Sequence, residues 1–248
     1  MPSFTFNPEQ WLIPDWPAPT NIRAGTSLRH GGVSLPPYAS LNLGDHVGDD
    51  PAAVAENRQR LKLPSEPVWL EQTHSPRIIN AAHCTDGQNK ADGSYSTQAN
   101  IICAVLTADC LPLLICNKQG TQVAAVHAGW RGLASGIIEA AIEKFTDSHR
   151  ELLIWLGPAI GPDNYEVGND LRQIFMAHDP AANAAFTAQK ETWHMDIYHL
   201  ARQRLQTLGI TAIYGGNHCS YREQEHFYSY RRDGVTGRMA SLIWREQK

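Results

Sequence analysis

Two stretches near the middle of the chain are apolar on both sides of the backbone rather than at alternate positions. They are "IICAVLTADC" (101–110) and "TQVAAVHA" (121–128). A strand with one face in water alternates apolar and polar residues, so this pattern predicts strands that are buried on both faces. Shorter apolar runs predict further strands at "PVWLEQTH" (67–74), "LLIWLGP" (152–158) and "ITAIYGG" (210–216).

A helical period replaces this pattern after Gly132. The apolar residues there follow a spacing of three and four, which predicts one amphipathic helix with a stripe formed by Leu133, Ile137, Ile138, Ala141, Ile142 and Phe145. Other helices are predicted at 54–63, 169–178 and 196–208, and Gly209 is a suitable cap for the last one. Because strands and helices alternate without a break in composition, the sequence predicts an α/β fold with a single domain over residues 1–248.

Composition narrows the class of protein. The net charge is −4 and no basic run occurs, which argues against nucleic-acid partners. The apolar run 101–116 is broken by Asp109 and Pro112 and is too short to cross a bilayer, and the N-terminus lacks the pattern of a signal peptide. The five cysteines show no CxxC spacing. We therefore expect a cytoplasmic protein with reduced thiols and no membrane partner.

Cys110 and His127 stand near the ends of two apolar segments that the short connection "NKQG" joins. Cys110 precedes the turn by about nine residues and His127 follows it by about eight, so an antiparallel hairpin would place them nearly opposite each other. The segment "AGWRG" follows His127, and a helix that starts near Arg131 would offer free N–H groups to an anion.

A third candidate, His74, ends the predicted strand 67–74 beside Gln72. Two imidazoles and one thiol suit zinc, and three protein ligands leave a fourth position open, as in catalytic sites. Copper accepts the same ligands. Taken singly, a buried cysteine is more often a small core residue and a histidine at a strand end a hydrogen-bonded structural one. A cysteine hydrolase such as an amidase, with Cys110 as nucleophile and His127 as its base, also fits the residues.

Two further segments carry candidate anion ligands. "FYSYRRDGVTGR" (227–238) places Arg231, Arg232 and Arg238 among aromatic residues and glycines, and "GTSLRHGGVS" (25–34) places Arg29 on a glycine-rich turn. Such arginines either lie in a solvated turn or clamp phosphate or carboxylate. Candidate proton-transfer groups are Asp92 and Asp109.

These motifs together resemble the YfiH family, which is described both as laccase-domain multicopper polyphenol oxidoreductases and as purine nucleoside phosphorylases. The resemblance is carried by "RAGTSLRHGGVS", "LNLGDHVGDD", "LEQTH", "ADGSYST", "LTADCLPLLIC", "AAVHAGWRGLASGI", "GPAIGPDNYEVG" and "SYRRDGVTGR". It runs over nearly the whole chain, and it is specific because many separated motifs agree in order. The resemblance implies a layered mixed β-sheet core with flanking helices, a fold that is likened to that of a bacterial toxin deamidase.

The resemblance also implies a zinc-dependent purine nucleoside phosphorylase for adenosine, inosine and S-methyl-5′-thioadenosine, with adenosine deaminase activity. By motif, the metal ligands carry over to His74, Cys110 and His127. The expected catalytic residues are Cys110, Asp109 and His127, and the expected contacts to nucleoside and phosphate are Arg29, Gln72, Arg131 and Arg231. We expect small-molecule partners only and a monomer or weak homo-oligomer. The alternatives are the cysteine hydrolase, a copper-dependent polyphenol oxidase and a binding module without turnover.

Overall fold

The computed structural model describes residues 4–85 and 87–247. In chain order its strands are β1 (Trp11–Leu12), β2 (Ile22–Ser27), β3 (Ile78–Asn80), β4 (Gly93–Ser96), β5 (Cys103–Thr107), β6 (Leu111–Asn117), β7 (Val123–Ala128), β8 (Leu152–Leu156), β9 (Glu166–Val167), β10 (Phe186–Gln189), β11 (Thr192–Met195), β12 (Ile213–Gly215) and β13 (Met239–Arg245). The α-helices are α1 (Pro51–Arg60), α2 (Trp130–Ala134), α3 (Ile137–Ile142), α4 (Asn169–His178), α5 (Ile197–Thr207) and α6 (Tyr230–Asp233). Short 3₁₀ turns occupy Ala81–His83, His149–Glu151, Pro162–Asn164 and Pro180–Ala185.

These strands form three sheets. A four-stranded antiparallel sheet has the order β1-β2-β13-β5, and a small antiparallel sheet has the order β10-β11-β9. The six-stranded sheet has the order β12-β8-β6-β7-β4-β3. Its outer pairs, β12 with β8 and β3 with β4, are parallel, whereas the inner pairs are antiparallel, so the sheet is mixed.

The large sheets lie face to face and helices cover the outer face of the six-stranded one. Val105 and Ile243 of the first sheet share a core with Ala125 and Trp155 of the second. On the opposite face of the six-stranded sheet, β6 and β7 pack with residues of α3, α4 and α5 in a second core. Every residue of β5 and β7 is buried, which confirms the burial on both faces that was predicted for residues 101–110 and 121–128, and the sheets and helices confirm the α/β class with a layered mixed sheet.

Three predicted elements differ in their limits. The predicted strand 101–110 ends at Thr107, because Asp109 adopts a φ of 93° and turns the chain from the four-stranded sheet into the six-stranded one. The predicted helix after Gly132 is split, since Gly136 with φ 88° separates α2 from α3. Residues 67–74 contain isolated bridges rather than a continuous strand. These differences arise at backbone turns that hydrophobic periodicity does not register.

The other predicted elements are confirmed with small shifts at their ends. Residues 54–63 fall on α1, 169–178 match α4, and 196–208 contain α5, which Asp196 caps at its start. Gly209 lies two residues after the last residue of α5 and has φ 79°, the left-handed conformation that terminates many helices. Across the described ranges, none of the helices has both the length and the apolar character needed to cross a bilayer.

Candidate metal and active site

His74, Cys110 and His127 converge at one end of the six-stranded sheet. In the β6–β7 hairpin Pro112 lies opposite His127, so Cys110, just before β6, lies next to the end of β7. The ligand atoms of the three side chains lie within 4.8 Å of one another, and Cys110 Sγ is 3.9 Å from His74 Nε2. The predicted hairpin and the proximity of the three side chains are therefore confirmed. The strand that pairs with β7 is β6, however, which begins just after Cys110, whereas the predicted strand ended at Cys110.

Asp92 fixes the positions of both histidines. Its fully buried carboxylate accepts a hydrogen bond from His127 Nδ1 at 2.9 Å, which directs Nε2 of that ring toward Cys110. The same carboxylate accepts the backbone N–H groups of Thr73, His74 and Ser75 at 3.1, 2.8 and 2.7 Å. These bonds hold His74 at a φ of 60°, a left-handed conformation that is uncommon for a residue with a side chain. Asp92 is thus a positioning residue, a role that the sequence alone did not reveal.

The space between the three side chains depends on Gly129. A Cβ atom at this position would lie 2.7 Å from His74 Cδ2 and 3.0 Å from Cys110 Sγ. Real Cβ atoms do not approach other heavy atoms so closely, so a side chain here would displace one of the candidate ligands. The glycine of "AGWRG" is therefore required by a close approach of side chains rather than by its own backbone angles, with φ at −65°.

Charge in the cluster favours a reactive thiolate. Burial by itself raises the pKa of the Cys110 thiol, but the positive charge of His127 and hydrogen bonds from both histidines lower that pKa to about 6. Burial lowers the pKa of His127, whereas Cys110 and Asp92 raise it to about 9. Burial also raises the pKa of Asp92, yet the hydrogen bonds from His127 and Ser75 hold it well below its usual value. Without a metal, the three groups form a chain of thiolate, imidazolium and carboxylate.

A cavity of about 500 Å³ opens beside the cluster. Aromatic rings on its wall come from Trp130, Tyr165 and Tyr230. Arginine side chains accompany each ring: Arg131 lies 4.3 Å from the centre of the Trp130 ring, Arg231 5.2 Å from that of Tyr165, and Arg238 6.0 Å from that of Tyr230. The cavity therefore combines flat apolar surfaces with positive charge.

The structure brings most of the predicted site residues to this cavity. Asp109, Arg131 and Arg231 line it. The carboxylate of Asp109 accepts hydrogen bonds from Ser220 Oγ and the backbone N–H of Arg231, both at 2.6 Å. Asp109 thereby ties the bend before Cys110 to the start of α6.

Gln72 and Arg29 hold backbone groups instead of facing a ligand freely. Gln72 lines the cavity, but its amide donates to Leu106 O at 2.9 Å and accepts from Leu106 N at 2.7 Å. The guanidinium of Arg29 donates to the carbonyl oxygens of Ala39 and Gln224, and the residue is not part of the cavity wall. We therefore do not carry Arg29 or Gln72 forward as phosphate ligands.

Other lining residues were missed by the sequence reasoning. His46, Tyr165 and Trp130 lie on the cavity wall although only the segments around them were recognised. A tyrosine or tryptophan in a glycine-rich loop is a weak signal, since it also occurs as an ordinary packing residue. The signal available was the position of each residue inside a segment that contributes to the family resemblance.

The cluster fits a single metal ion. Zinc bonds of about 2.1 Å to nitrogen and 2.3 Å to sulfur place these two atoms about 3.6 Å apart at a tetrahedral angle, close to the 3.9 Å between His74 Nε2 and Cys110 Sγ. The hydrogen bond from His127 to Asp92 is the outer-shell contact that metal-ligating histidines make. Three ligands at the edge of a cavity leave one side of an ion open, as catalytic sites require.

Known proteins are similar in sequence to nearly the whole of this chain. The family model described as multi-copper polyphenol oxidoreductase laccase matches residues 23–246. Purine nucleoside phosphorylase YfiH of Escherichia coli is 53% identical over 237 residues, covering 94% of this chain and 98% of the relative. A purine nucleoside phosphorylase of Pseudomonas aeruginosa is 49% identical over 238 residues, with the same two coverages of 94% and 98%.

A solved structure gives the same result. The crystal structure of a Neisseria meningitidis protein matches with a TM-score of 0.92 at 46% identity and covers 96% of this chain and 100% of that one. The residues that the family model matches, 23–246, include the His/Cys/His cluster and all residues that line the cavity. The chain therefore belongs to the YfiH family, whose family model is described as multi-copper polyphenol oxidoreductase laccase.

Proposed function

We propose that this protein is a metal-dependent purine nucleoside phosphorylase. The observation that carries the proposal is a cavity that joins a His/Cys/His cluster to aromatic rings and to three arginines. Relatives at 53% and 49% identity bear the name purine nucleoside phosphorylase, which supports the same activity here. We propose adenosine, inosine and S-methyl-5′-thioadenosine as substrates.

The cavity suits a nucleoside. Its volume of about 500 Å³ lies in the range of small-molecule sites, about 300–1,000 Å³. The rings of Trp130, Tyr165 and Tyr230 offer flat surfaces against which a purine stacks. A ligand can enter and leave the cavity, since Tyr230 on its wall is 61% exposed.

Phosphorolysis requires a site that binds the phosphate anion, and the arginines of the cavity can provide it. An oxygen of hydrogen phosphate forms a bond to C1′ of the sugar while the C1′–N9 bond breaks and its electron pair remains on the purine. The proton of hydrogen phosphate ends on the base, and the products are the free base and a pentose 1-phosphate. Guanidinium groups neutralise phosphate and hold it at the reacting carbon, which lowers the barrier by orientation and electrostatics.

We propose zinc as the ion at His74, Cys110 and His127, with copper as an alternative that the same donor set accepts. When bound, zinc supplies Lewis-acid chemistry, which also suits the deamination of adenosine by water to inosine and ammonia. Around it, Asp92 keeps His127 Nδ1 protonated so that Nε2 has a free lone pair. Within the described ranges we find one His/Cys cluster of this kind, so we do not extend multi-copper chemistry to this chain.

The experiment is an assay of purified protein with inosine and phosphate, in which hypoxanthine is measured by chromatography. We expect hypoxanthine that depends on phosphate, and loss of the activity in Cys110→Ala. A matched control is Cys84→Ala, a half-buried cysteine that is not part of the cavity wall. Absence of product with the wild-type protein, or full activity in Cys110→Ala, would reject the proposal.

A second candidate function rests on a specific arrangement. Cys110, His127 and Asp92 form a line of thiol, imidazole and carboxylate like that of cysteine hydrolases. Such a hydrolase needs neither metal nor phosphate. Metal analysis separates the two functions: about one zinc per chain with a protected thiol supports the phosphorylase, and a metal-free protein with a rapidly alkylated Cys110 supports the hydrolase.

We also propose a cytoplasmic location. The five cysteines are free, and the proposed site requires Cys110 as a thiolate, which a reducing compartment preserves.

A further inference from the structure

One arginine of the cavity wall, Arg238, is positioned by long-range strand pairing beside the candidate metal ligands. In the antiparallel pair of β13 and β5, Met239 lies opposite Thr107. Arg238 precedes β13, and the bend that contains Cys110 follows β5, so the two segments meet at the same end of the sheet. Arg238 and Cys110 both line the cavity.

The Arg238 side chain is held in a fixed orientation. Its Nη1 group donates to the carbonyl oxygens of Thr236 and Gly237, both at 3.0 Å. Its stem packs on Gly44, where a Cβ atom would come within 2.7 Å of Arg238 Cγ. Its backbone N–H donates to Asn42 Oδ1 at 2.9 Å. A guanidinium fixed in this way loses little conformational freedom when it binds a ligand.

The remaining edge of the guanidinium is unused. Nε and Nη2 of Arg238 donate to no protein acceptor in the part of the chain that the structure describes. This edge carries two parallel N–H donors, the geometry that matches two oxygens of one phosphate. Arg238 also forms no ion pair within those residues, although it is only partly exposed.

Charge around the cavity is unbalanced. Asp109 is the one carboxylate among the described lining residues, and both of its oxygens already accept hydrogen bonds. Arg131 and Arg231, nearer the solvent, add positive charge without a carboxylate partner in residues 4–85 and 87–247. Three arginines thus face one carboxylate among the described lining residues, and this half-buried excess of positive charge favours binding of an anion.

We propose that the free Nε/Nη2 edge of Arg238 holds inorganic phosphate in this cavity. The identity of the anion rests on the proposed phosphorylase function, whereas binding itself is independent of turnover. Arg131 and Arg231 attract the anion toward the cavity, and Arg238 is the residue that sets its position. The phosphate then lies on the side of the cavity where β5 ends and β13 begins, next to the His/Cys/His cluster.

The test uses two substitutions of Arg238 in the metal-loaded protein. Arg238→Met removes the charge and the donors, and Arg238→Lys keeps the charge but removes the paired donors. The control is Arg150→Gln, an exposed arginine that is not part of the cavity wall. Calorimetric titration with inorganic phosphate measures affinity, steady-state assays give KM for phosphate and for inosine, and thermal unfolding checks folding.

We expect Arg238→Met to weaken phosphate binding by at least about tenfold and Arg238→Lys by a smaller factor, because the fork contributes beyond charge alone. KM for phosphate rises in both variants while KM for inosine changes less than about twofold. Unchanged phosphate affinity in either folded variant would overturn the proposal. If Arg238→Met does not fold, the result for Arg238→Lys decides.

Two further outcomes separate this inference from the proposed function. Phosphate binding that depends on Arg238, without turnover of inosine by the wild type, rejects the phosphorylase and keeps the anion site. Turnover with an unchanged phosphate KM in Arg238→Lys keeps the phosphorylase and rejects the anion site. A parallel titration with inosine 5′-monophosphate tests the source of the anion: binding of this ester without binding of inorganic phosphate also overturns the proposal.

Discussion

Replacement of Asp92 by asparagine tests the claim that one buried carboxylate organises the metal cluster. Asp92 accepts hydrogen bonds at one oxygen from His74 N and His127 Nδ1, and at the other from Thr73 N and Ser75 N. Asparagine has the same shape but turns one acceptor into a donor. In either orientation, the amide nitrogen therefore points one N–H donor group at other N–H donors, and those donors lose their acceptor.

The two orientations have different consequences. If the amide nitrogen faces Thr73 and Ser75, two partly buried N–H groups lose their acceptor, which lowers the free energy of unfolding by about 1–3 kcal/mol in total. If it faces His127, the ring must accept at Nδ1 and carry its proton on Nε2, which blocks the lone pair that a metal needs. Loss of such an outer-shell partner typically lowers metal affinity by about 10–100-fold.

The assay measures both quantities in Asp92→Asn, with the exposed Asp163→Asn as control. Zinc affinity comes from competition with a coloured chelator, and stability from urea unfolding of the metal-free protein. We expect the loss of affinity in any folded fraction of Asp92→Asn and none in the control. A folded Asp92→Asn protein that binds zinc within about twofold of the wild type would show that Asp92 does not position the histidines.

The same substitution changes the response to acid. Burial raises the pKa of Asp92, but the hydrogen bonds from His127 and Ser75 keep it below its usual value near 4. The stabilisation by this carboxylate is therefore present above about pH 4 and is lost as pH falls from there toward the lowered pKa. Asp92→Asn removes this part of the acid sensitivity, and an identical loss of stability with pH in both proteins would contradict the assignment.

Three other changes test separate parts of the site. Gly129→Ala adds a Cβ atom 2.7 Å from His74 Cδ2, so we expect a folded protein with reduced zinc content, and full zinc occupancy would contradict the geometry. In metal-free protein, burial raises the pKa of the Cys110 thiol, but His127 lowers it to about 6. The rate of alkylation, followed by mass spectrometry, should therefore reach half its maximum near pH 6. A midpoint near pH 9 would show that Cys110 is not a thiolate at neutral pH. Asp109→Ala should lower the free energy of unfolding in urea by about 1–3 kcal/mol, because two hydrogen bonds lose their acceptor at a residue with φ 93°. Asp109→Asn should lower it less. Equal losses in the two variants would count against Asp109 as a hydrogen-bond acceptor that holds this bend.

The convergence of His74, Cys110 and His127 could be predicted because these residues lie in short, recognisable segments. Cys110 and His127 flank one hairpin, and the number of residues on each side of a short turn fixes which positions face each other. His74 entered through its residue type and its motif. The burial of β5 and β7 could be predicted equally locally, since apolar residues on both sides of a strand require cover on both faces.

The supporting residues could not be predicted in this way. Asp92 looked like a candidate for proton transfer, but its carboxylate lies between two segments that precede and follow it by 18 and 35 positions. The choice among the arginines was also open, since Arg29 and Arg238 occur in similar glycine-rich settings. One donates to backbone carbonyls away from the cavity, and the other lines its wall.

The sequence by itself determined the α/β alternation, the buried central hairpin and the donor set of the cluster, because these depend on residue type and on neighbours within one or two elements. The tertiary structure decided which carboxylate orients the histidines, why Gly129 must lack a side chain and which arginines line the cavity. The physical reason is strand pairing over long distances in the sequence: β4 pairs with β7 beside Asp92 and His127, and β5 pairs with β13 beside Arg238. Contacts across such a distance in sequence arise only when distant strands pair in the folded sheets, and periodicity carries no record of them.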